Sequence, residues 1–245
     1  MKYCSSLCAE RGSNNIDAPS HPTIPSNTTD TRYLVMTDAL FEQCISNVYV
    51  DAFYSGQLKK FIYTKPYPFS FLENFFERNF YNKISDIDPS LSSSYTIMNG
   101  VENFFEPFYC EEFIRLVYGK VFRKFLATLM NSTNTKRPKD SYPQLRSLCG
   151  DKGGMGIHDD SNSPYNGVAF FYLNNFWKEG DGGELVIWEK LESGKYKKIH
   201  QFAPIGNSIS VMRFSPISCH SVNKPVGNWL RNSILTEWCA IQNLD

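Results

Sequence analysis

His158 and Asp160 stand two residues apart in the segment GMGIHDDSN, directly after a glycine-rich turn. At a strand end, residues i and i+2 point the same way. An imidazole and a carboxylate at this spacing can therefore chelate one metal ion from a single local segment. Asp159 has the same chemistry, but alternation sends it to the opposite side. His220, in FSPISCHSV, follows the apolar run of residues 208–214 and can bring a second imidazole from a neighbouring strand. The other two of the four histidines sit in plainer surroundings: His21 in a polar stretch, and His200 in the Lys-rich hairpin KYKKIHQF, where an exposed position away from any metal is expected.

Two imidazoles and one carboxylate on one face of an octahedron form the facial triad used by non-haem Fe(II), with the opposite face open for other ligands. A 2-oxo acid can fill two of the open positions and O2 the third. Arg231 opens the segment RNSILTEW, eleven residues after His220. A buried arginine is well suited to pair with the distal carboxylate of such an acid, because its fork bonds both oxygens. Tyr172, in AFFYLNN, is the candidate for a further hydrogen bond; the alternative is an ordinary core aromatic.

These elements must be positioned by a scaffold, and the order of segments suggests which. Residues 33–50 predict a helix, 61–74 a strand approached through Pro66 and Pro68 and therefore an edge or turn, and 75–84 a short helix. Apolar residues every four positions, from Phe113 through Val117, Val121 and Phe125 to Leu129, predict one helix over 111–130. A polar break follows over 131–140. Beyond it come short β-like segments at 143–149, 168–173, 184–188, 208–214 and 233–241, with turns at 150–156, 178–183 and 204–207. The aromatic cluster between Phe61 and Tyr81 is read as core packing helices on the back of the β-rich half, not as a substrate wall. Asn174 and Glu184 are read as structural, capping turn and hairpin. The expected organisation is a flexible N-terminal arm over 1–30 and a single domain over 31–245, with helical support over 31–140 and a catalytic β-rich half over 141–245. The expected fold class is α+β, with a jelly-roll core and N-terminal supporting helices.

The arrangement resembles the 2-oxoglutarate/Fe(II) dioxygenases of the prolyl 4-hydroxylase type over residues 142–238. In order, the chain carries Gly150 and the glycine-rich turn, His158-x-Asp160, FYLNNFW, the GGEL of residues 182–185, PIGNSISVMRF, His220 and Arg231. The resemblance implies a double-stranded β-helix (cupin-like jelly roll) and Fe(II) on His158, Asp160 and His220. It also implies 2-oxoglutarate held by Arg231 and Tyr172, L-ascorbate as a reductant, and hydroxylation of an unactivated C–H bond with release of succinate and CO2. With Asp160 present, hydroxylation is expected over halogenation, whose enzymes carry a small residue there. Two positions depart from the family. Leu148 stands where relatives often carry a tyrosine, ten residues before the first ligand. Trp238 lies seven residues after Arg231 where an aromatic six residues on is usual; counting back six would select Asn232, and a one-residue bulge would keep Arg231.

Composition narrows the partners. Among 245 residues, 25 Lys and Arg balance 25 Asp and Glu, so no global field draws a polyanion. A nucleic-acid substrate is not expected, and the basic stretch at Lys136, Arg137 and Lys139 reads as a solvated loop. Seven scattered cysteines suggest reduced thiols, and the Cys4/Cys8 pair lacks the companions of a zinc site. No apolar run would span a membrane and no signal peptide is read, so a cytoplasmic location is expected. The expected substrate is an amino-acid-like small molecule or a peptidyl side chain, a prolyl residue of a protein being the alternative, with O2 as co-substrate. The competing class is a non-catalytic, cupin-like metal-binding or sensor protein, for which Arg231 would have no purpose.

Overall fold

In Gly167–Tyr172 the alternate side chains part company. Ala169 and Phe171 pack into the core shared with the helices, while Val168 and Phe170 pack with residues of a second sheet. Ile209 and Val211 against Met212, and Ile234 and Trp238 against Leu235, divide in the same way. Alternation of this kind makes a sheet apolar on both faces, which must be covered twice.

The computed structural model describes residues 39–86, 95–98, 101–138, 141–150, 153–227 and 229–241. The arm expected over 1–30, with Cys4, Cys8 and His21, lies outside them. The strands are β1 (Ile62–Tyr63), β2 (Phe69–Leu72), β3 (Tyr95–Met98), β4 (Val101–Pro107), β5 (Asn134–Lys136), β6 (Gln144–Cys149), β7 (Met155–His158), β8 (Gly167–Tyr172), β9 (Leu185–Lys190), β10 (Tyr196–Phe202), β11 (Ser208–Arg213), β12 (His220–Val222) and β13 (Leu230–Ile241). The helices are α1 (Asn47–Tyr54), α2 (Arg78–Ser85), α3 (Glu111–Tyr118) and α4 (Lys120–Leu129). The major sheet runs β1-β2-β11-β8-β13-β6-β4-β3 with β5 paired to β13, and the minor sheet runs β10-β9-β12-β7. Every pairing is antiparallel. The two sheets form the double-stranded β-helix, and the helices cover the outer face of the major sheet.

That cover is aromatic. Phe75, Phe76, Phe113 and Phe122 pack on Phe171, Phe41 and Phe125 pack on Phe122, and each is buried to within a few per cent. Burial of a side chain this size contributes about 1.5–3 kcal/mol. Most of the cluster between Phe61 and Tyr81 therefore is back-of-barrel core, as the sequence predicts; Tyr67 and Phe69 instead join the core between the sheets.

Three local expectations are corrected. The helix over 111–130 is two helices, because Gly119 takes an extended backbone (φ −63°, ψ 151°) and shifts the buried face from Phe113, Leu116 and Val117 to Phe122, Phe125, Leu126 and Leu129, leaving Val121 half-buried. The helix over 33–50 is interrupted at Ile45, which bridges to Phe76, before α1 begins; residues 33–38 lie outside the described part. The strand over 61–74 breaks into a 3-10 turn, β1 and β2, with Pro66 and Pro68 in the connection and β1 at the sheet edge. The first half is thus not helical support alone: it contributes β1 to β5 to the major sheet.

Candidate active site

β7 and β12 are neighbours in the minor sheet, and their register sets His158 directly across from His220. The ring centroids are 4.2 Å apart. Asp160 reaches both: its Oδ2 lies 3.5 Å from His158 Nε2 and 3.4 Å from His220 Nε2. Of the described residues, these three form the one group whose ligand atoms gather within 4.8 Å of one another.

Asp160 does not arrive there by strand alternation. β7 ends at His158, and Asp160 takes a left-handed backbone with φ +54°, which turns its carboxylate back over the histidines. Asp is one of the few non-glycine residues that adopt this conformation readily. Asp159, the rival, is half-buried and accepts hydrogen bonds from the backbone N–H and hydroxyl of Ser161. Ser218 fastens the two ligand segments together, its hydroxyl 3.0 Å from the Asp159 carbonyl oxygen, while the buried Tyr67 hydroxyl donates to the Cys219 carbonyl.

The electrostatics of the trio call for a cation. His158 Nδ1 donates to the Gly156 carbonyl at 2.7 Å and His220 Nδ1 to the Ser218 carbonyl at 2.9 Å. In the neutral rings this leaves both Nε2 atoms as lone pairs aimed at a carboxylate oxygen. Backbone carbonyls that fix the tautomer of a ligand histidine are the usual outer support of a metal site. Burial, and then His220, hold the His158 ring below its ordinary value, which favours the neutral ligand form. Burial pushes the Asp160 carboxyl up, but His220 and His158 outweigh it and hold the group below the usual carboxylate range. The spacings of 3.4–3.5 Å exceed those of charge-assisted hydrogen bonds. Two imidazole nitrogens and one carboxylate oxygen thus converge on one point, a donor set that suits a cation.

A cavity of about 220 Å³ opens from this point between the sheets. At its deep end Arg231 is 3% exposed and Tyr172 1% exposed. Arg231 Nε donates to the Gly183 carbonyl at 2.7 Å, and Nη2 lies 3.4 Å from the Tyr172 hydroxyl, which meets Ser210 Oγ at 3.0 Å. Among the described residues no carboxylate lies within ion-pair distance of Arg231. Burial lowers its guanidinium below the ordinary value, and a buried cation without a counter-charge is costly.

The register around Arg231 needs no bulge. β13 pairs continuously with β6 from Leu230 to Leu235 and with β8 from Ser233 to Trp238. Odd-numbered residues from Arg231 to Glu237 line the cavity, whereas Trp238 is buried among the helices beside Tyr118. An aromatic seven residues on therefore belongs to the opposite face, and the cavity-facing position six residues on is Glu237. Asn232 faces away, its side chain accepting from Ser147. Leu148 lines the cavity directly opposite Arg231.

The structure adds residues that sequence reasoning passed over. Ser233 lines the cavity between Arg146 on β6 and Tyr172 on β8, is 1% exposed, and its hydroxyl has no partner. Asn174 anchors the backbone on both sides of Arg231, donating to Leu230 O at 2.6 Å and accepting from Asn232 N at 3.1 Å. Glu184 accepts from Gln201 and Asn223, a structural role as expected. Gly183 has φ +78°, and a Cβ there would meet Trp229 at 2.9 Å and Arg231 Cδ at 3.1 Å. His200 is remote from the trio but half-buried rather than exposed, packed edge-on to Tyr63 and stacked on Phe202. Arg137 lies over the Tyr118 ring instead of standing in solvent.

Residues 143–239 match the family model of the 2OG-Fe(II) oxygenase superfamily. The matched segment holds the His158, Asp160, His220 and Arg231 positions. Solved structures similar to the chain agree on the fold. A prolyl hydroxylase from Trichoplax adhaerens, in complex with a hypoxia inducible factor oxygen degradation domain peptide fragment, is 15% identical with a TM-score of 0.52 over 87% of this chain and 94% of that one. A prolyl-4-hydroxylase from Pseudomonas putida is 15% identical with a TM-score of 0.51 over 70% and 92%. A prolyl 4-hydroxylase from Phytophthora capsici is 16% identical with a TM-score of 0.53 over 83% and 65%. No curated protein matches the sequence. The family whose model matches uses Fe(II) and 2-oxoglutarate, and the His158–Asp160–His220 group fits iron binding. Among the described residues no helix is long and apolar enough to cross a membrane.

Proposed function

We propose that His158, Asp160 and His220 hold the Fe(II), that Arg231, Tyr172 and Ser233 hold the distal carboxylate of 2-oxoglutarate, and that the substrate is an amino-acid-like small molecule or a peptidyl side chain, prolyl among the latter. The observation that carries this reading is one cavity lined by two complementary groups: a His–Asp–His trio whose ligand atoms converge, as suits a cation, and a buried arginine with no carboxylate at ion-pair distance among the described residues, as suits an anion. A 2-oxo acid bridging the two satisfies both.

Bound Fe(II) supplies the oxidising chemistry, in which R–H, O2 and 2-oxoglutarate become R–OH, succinate and CO2. Each protein group has a narrower task. The Gly156 and Ser218 carbonyls orient the imidazoles, and the Asp160 turn completes one face while leaving the other open to the cavity. Arg231, fixed by Gly183 O, presents its remaining N–H groups to the carboxylate, with the Tyr172 and Ser233 hydroxyls as additional donors. The apolar walls at Leu148, Val168, Leu185 and Phe214 exclude water from the reacting atoms. L-Ascorbate fits as the external reductant that keeps the metal ferrous, and five free cysteines among the described residues suit a reducing, cytoplasmic setting.

The reading is tested by incubating the iron-loaded protein with 2-oxoglutarate under 18O2. One labelled oxygen in succinate supports it; unlabelled succinate, or none over a protein-free control, contradicts it. Gly183→Ala probes the anion end alone. The strained backbone and the displaced Arg231 are expected to raise the 2-oxoglutarate requirement about tenfold, as one lost charge-assisted hydrogen bond does, with metal binding unchanged in a calorimetric titration.

A further inference from the structure

The metal end has one anchor that comes from the first half of the chain. Tyr67 lies in KPYPF, in the connection between β1 and β2. Prolines on both sides confine it: Pro68 biases the residue before it to an extended backbone, and neither proline has an N–H to place. Tyr67 is 2% exposed and joins the core between the sheets, with its ring 5.7 Å from that of Phe69. Its hydroxyl donates to the Cys219 carbonyl at 3.0 Å, across 152 residues of sequence. A side chain from the edge of the major sheet is thereby tied to the minor sheet, one residue before His220.

The tied carbonyl belongs to the peptide group that carries the His220 N–H. A peptide group is planar, so fixing that oxygen fixes the plane from which the His220 side chain departs. The other supports of His220 act on its ring: Ser218 O accepts from Nδ1 at 2.9 Å, and Phe214 stacks on it at 6.0 Å with an interplanar angle of 3°. His158 is held differently. It is half-buried and ends β7, the edge strand of the minor sheet, whereas His220 is buried and β12 has a strand on either side. The Cys219 carbonyl also accepts from the Trp188 N–H at 2.9 Å. It therefore stays satisfied without Tyr67, and the second bond adds direction to this peptide group rather than filling a vacant acceptor.

We propose that Tyr67 is a positioning residue for the metal: its hydroxyl sets the backbone plane at His220, and through it the direction of His220 Nε2, so that this imidazole converges with His158 and Asp160. This rests on the assignment of the three metal ligands made above. Tyr67 stands behind the cavity wall and does not line it, so its effect falls on the ligand set and not on the Arg231 end. Outer partners that orient a ligand histidine are worth roughly 10- to 100-fold in metal affinity. Tyr67 acts one step further out, through the backbone, and the lower end of that range is expected.

The test compares the full chain with Tyr67→Phe and with Tyr49→Phe, a control for the loss of any buried tyrosine hydroxyl. Tyr49 is also buried and donates to a backbone carbonyl, Glu73 O at 2.6 Å, but in the core beside the helices. Anaerobic titration of the metal-free proteins with Fe(II) gives affinity, the visible absorption of the Co(II) forms reads ligand geometry, and thermal unfolding without metal reads the fold. Tyr67→Phe is expected to weaken Fe(II) binding roughly 10-fold and to change the position or intensity of the Co(II) bands. The 2-oxoglutarate affinity of its iron-saturated form should stay within about twofold of the parent, as distant sites act independently. Tyr49→Phe should match the parent in all three respects, and the two variants should lose similar amounts of Tm. Tyr67 serves only the fold, and the proposal is overturned, if Tyr67→Phe binds Fe(II) and absorbs with Co(II) like the parent, if Tyr49→Phe weakens the metal equally, or if Tyr67→Phe alone fails to fold without metal. A changed 2-oxoglutarate affinity with unchanged metal affinity overturns it as well. A parent that binds neither ion overturns the ligand assignment itself; a parent that binds both, with Tyr67→Phe indistinguishable from it, overturns the positioning role and leaves that assignment standing.

Discussion

Asp160→Asn is expected to abolish 2-oxoglutarate turnover while leaving the fold intact. Asn is as much at home as Asp at φ +54° and matches its size, so the turn after β7 survives and only the charge is lost. That charge is what the histidines hold in its ionised form. Loss of an outer support of a metal ligand typically costs 10- to 100-fold in affinity or activity; loss of the anionic ligand itself is expected to exceed roughly 100-fold. Thermal unfolding supplies an independent readout. Metal at about 100 times its Kd stabilises the parent by about 2.7 kcal/mol, and Asp160→Asn should lose most of that increment without losing stability in the metal-free state. The Asn amide can even donate to a His Nε2 lone pair that the carboxylate could not satisfy. A variant that binds metal and turns over like the parent would remove Asp160 from the ligand set.

Arg231→Met should raise the 2-oxoglutarate KM or Kd by roughly 30- to 1,000-fold, the equivalent of about 2–4 kcal/mol for truncating one partner of a buried charge pair. Stability is the discriminating companion measurement. Replacing a buried, unmatched cation by an apolar side chain of similar length is often neutral or stabilising, whereas loss of the bond to Gly183 O costs about 1 kcal/mol. The net change without ligand is therefore expected within about 1 kcal/mol, or roughly 2–4 °C in Tm for a chain this size. A large drop in Tm with an unchanged 2-oxoglutarate requirement would mean that Arg231 serves the fold.

How much of this was legible in the sequence depends on which physical rule each residue obeys. His158, His220, Tyr172 and Arg231 were found because chemistry-bearing types recur in a fixed order, and the structure gathers all four around one cavity. Asp160 was reached through strand alternation, although a left-handed turn brings it to the histidines. Arg146, Ser233 and Glu237 stayed hidden because a charge or hydroxyl within a strand reads as a solvent-facing position. Only the pairing of β6, β13 and β8, between segments some 60 to 90 residues apart, shows which parity faces the cavity. The same parity turns Arg231 towards the cavity and Asn232 away from it, a difference that residue counting alone does not show. The apparent single helix over 111–130 failed for a related reason. Its four-residue period continued through Gly119, while the backbone there turned extended and changed the buried face.

The most direct measurement is an anaerobic titration of the metal-free protein with Fe(II) and 2-oxoglutarate, followed by the visible metal-to-ligand charge-transfer absorption. The parent is expected to develop the band only when both are present, with saturation at one equivalent of each. A folded protein that binds Fe(II) yet shows no band at any 2-oxoglutarate concentration would contradict the assignment of the His158–Asp160–His220 face and the Arg231 end to one active site.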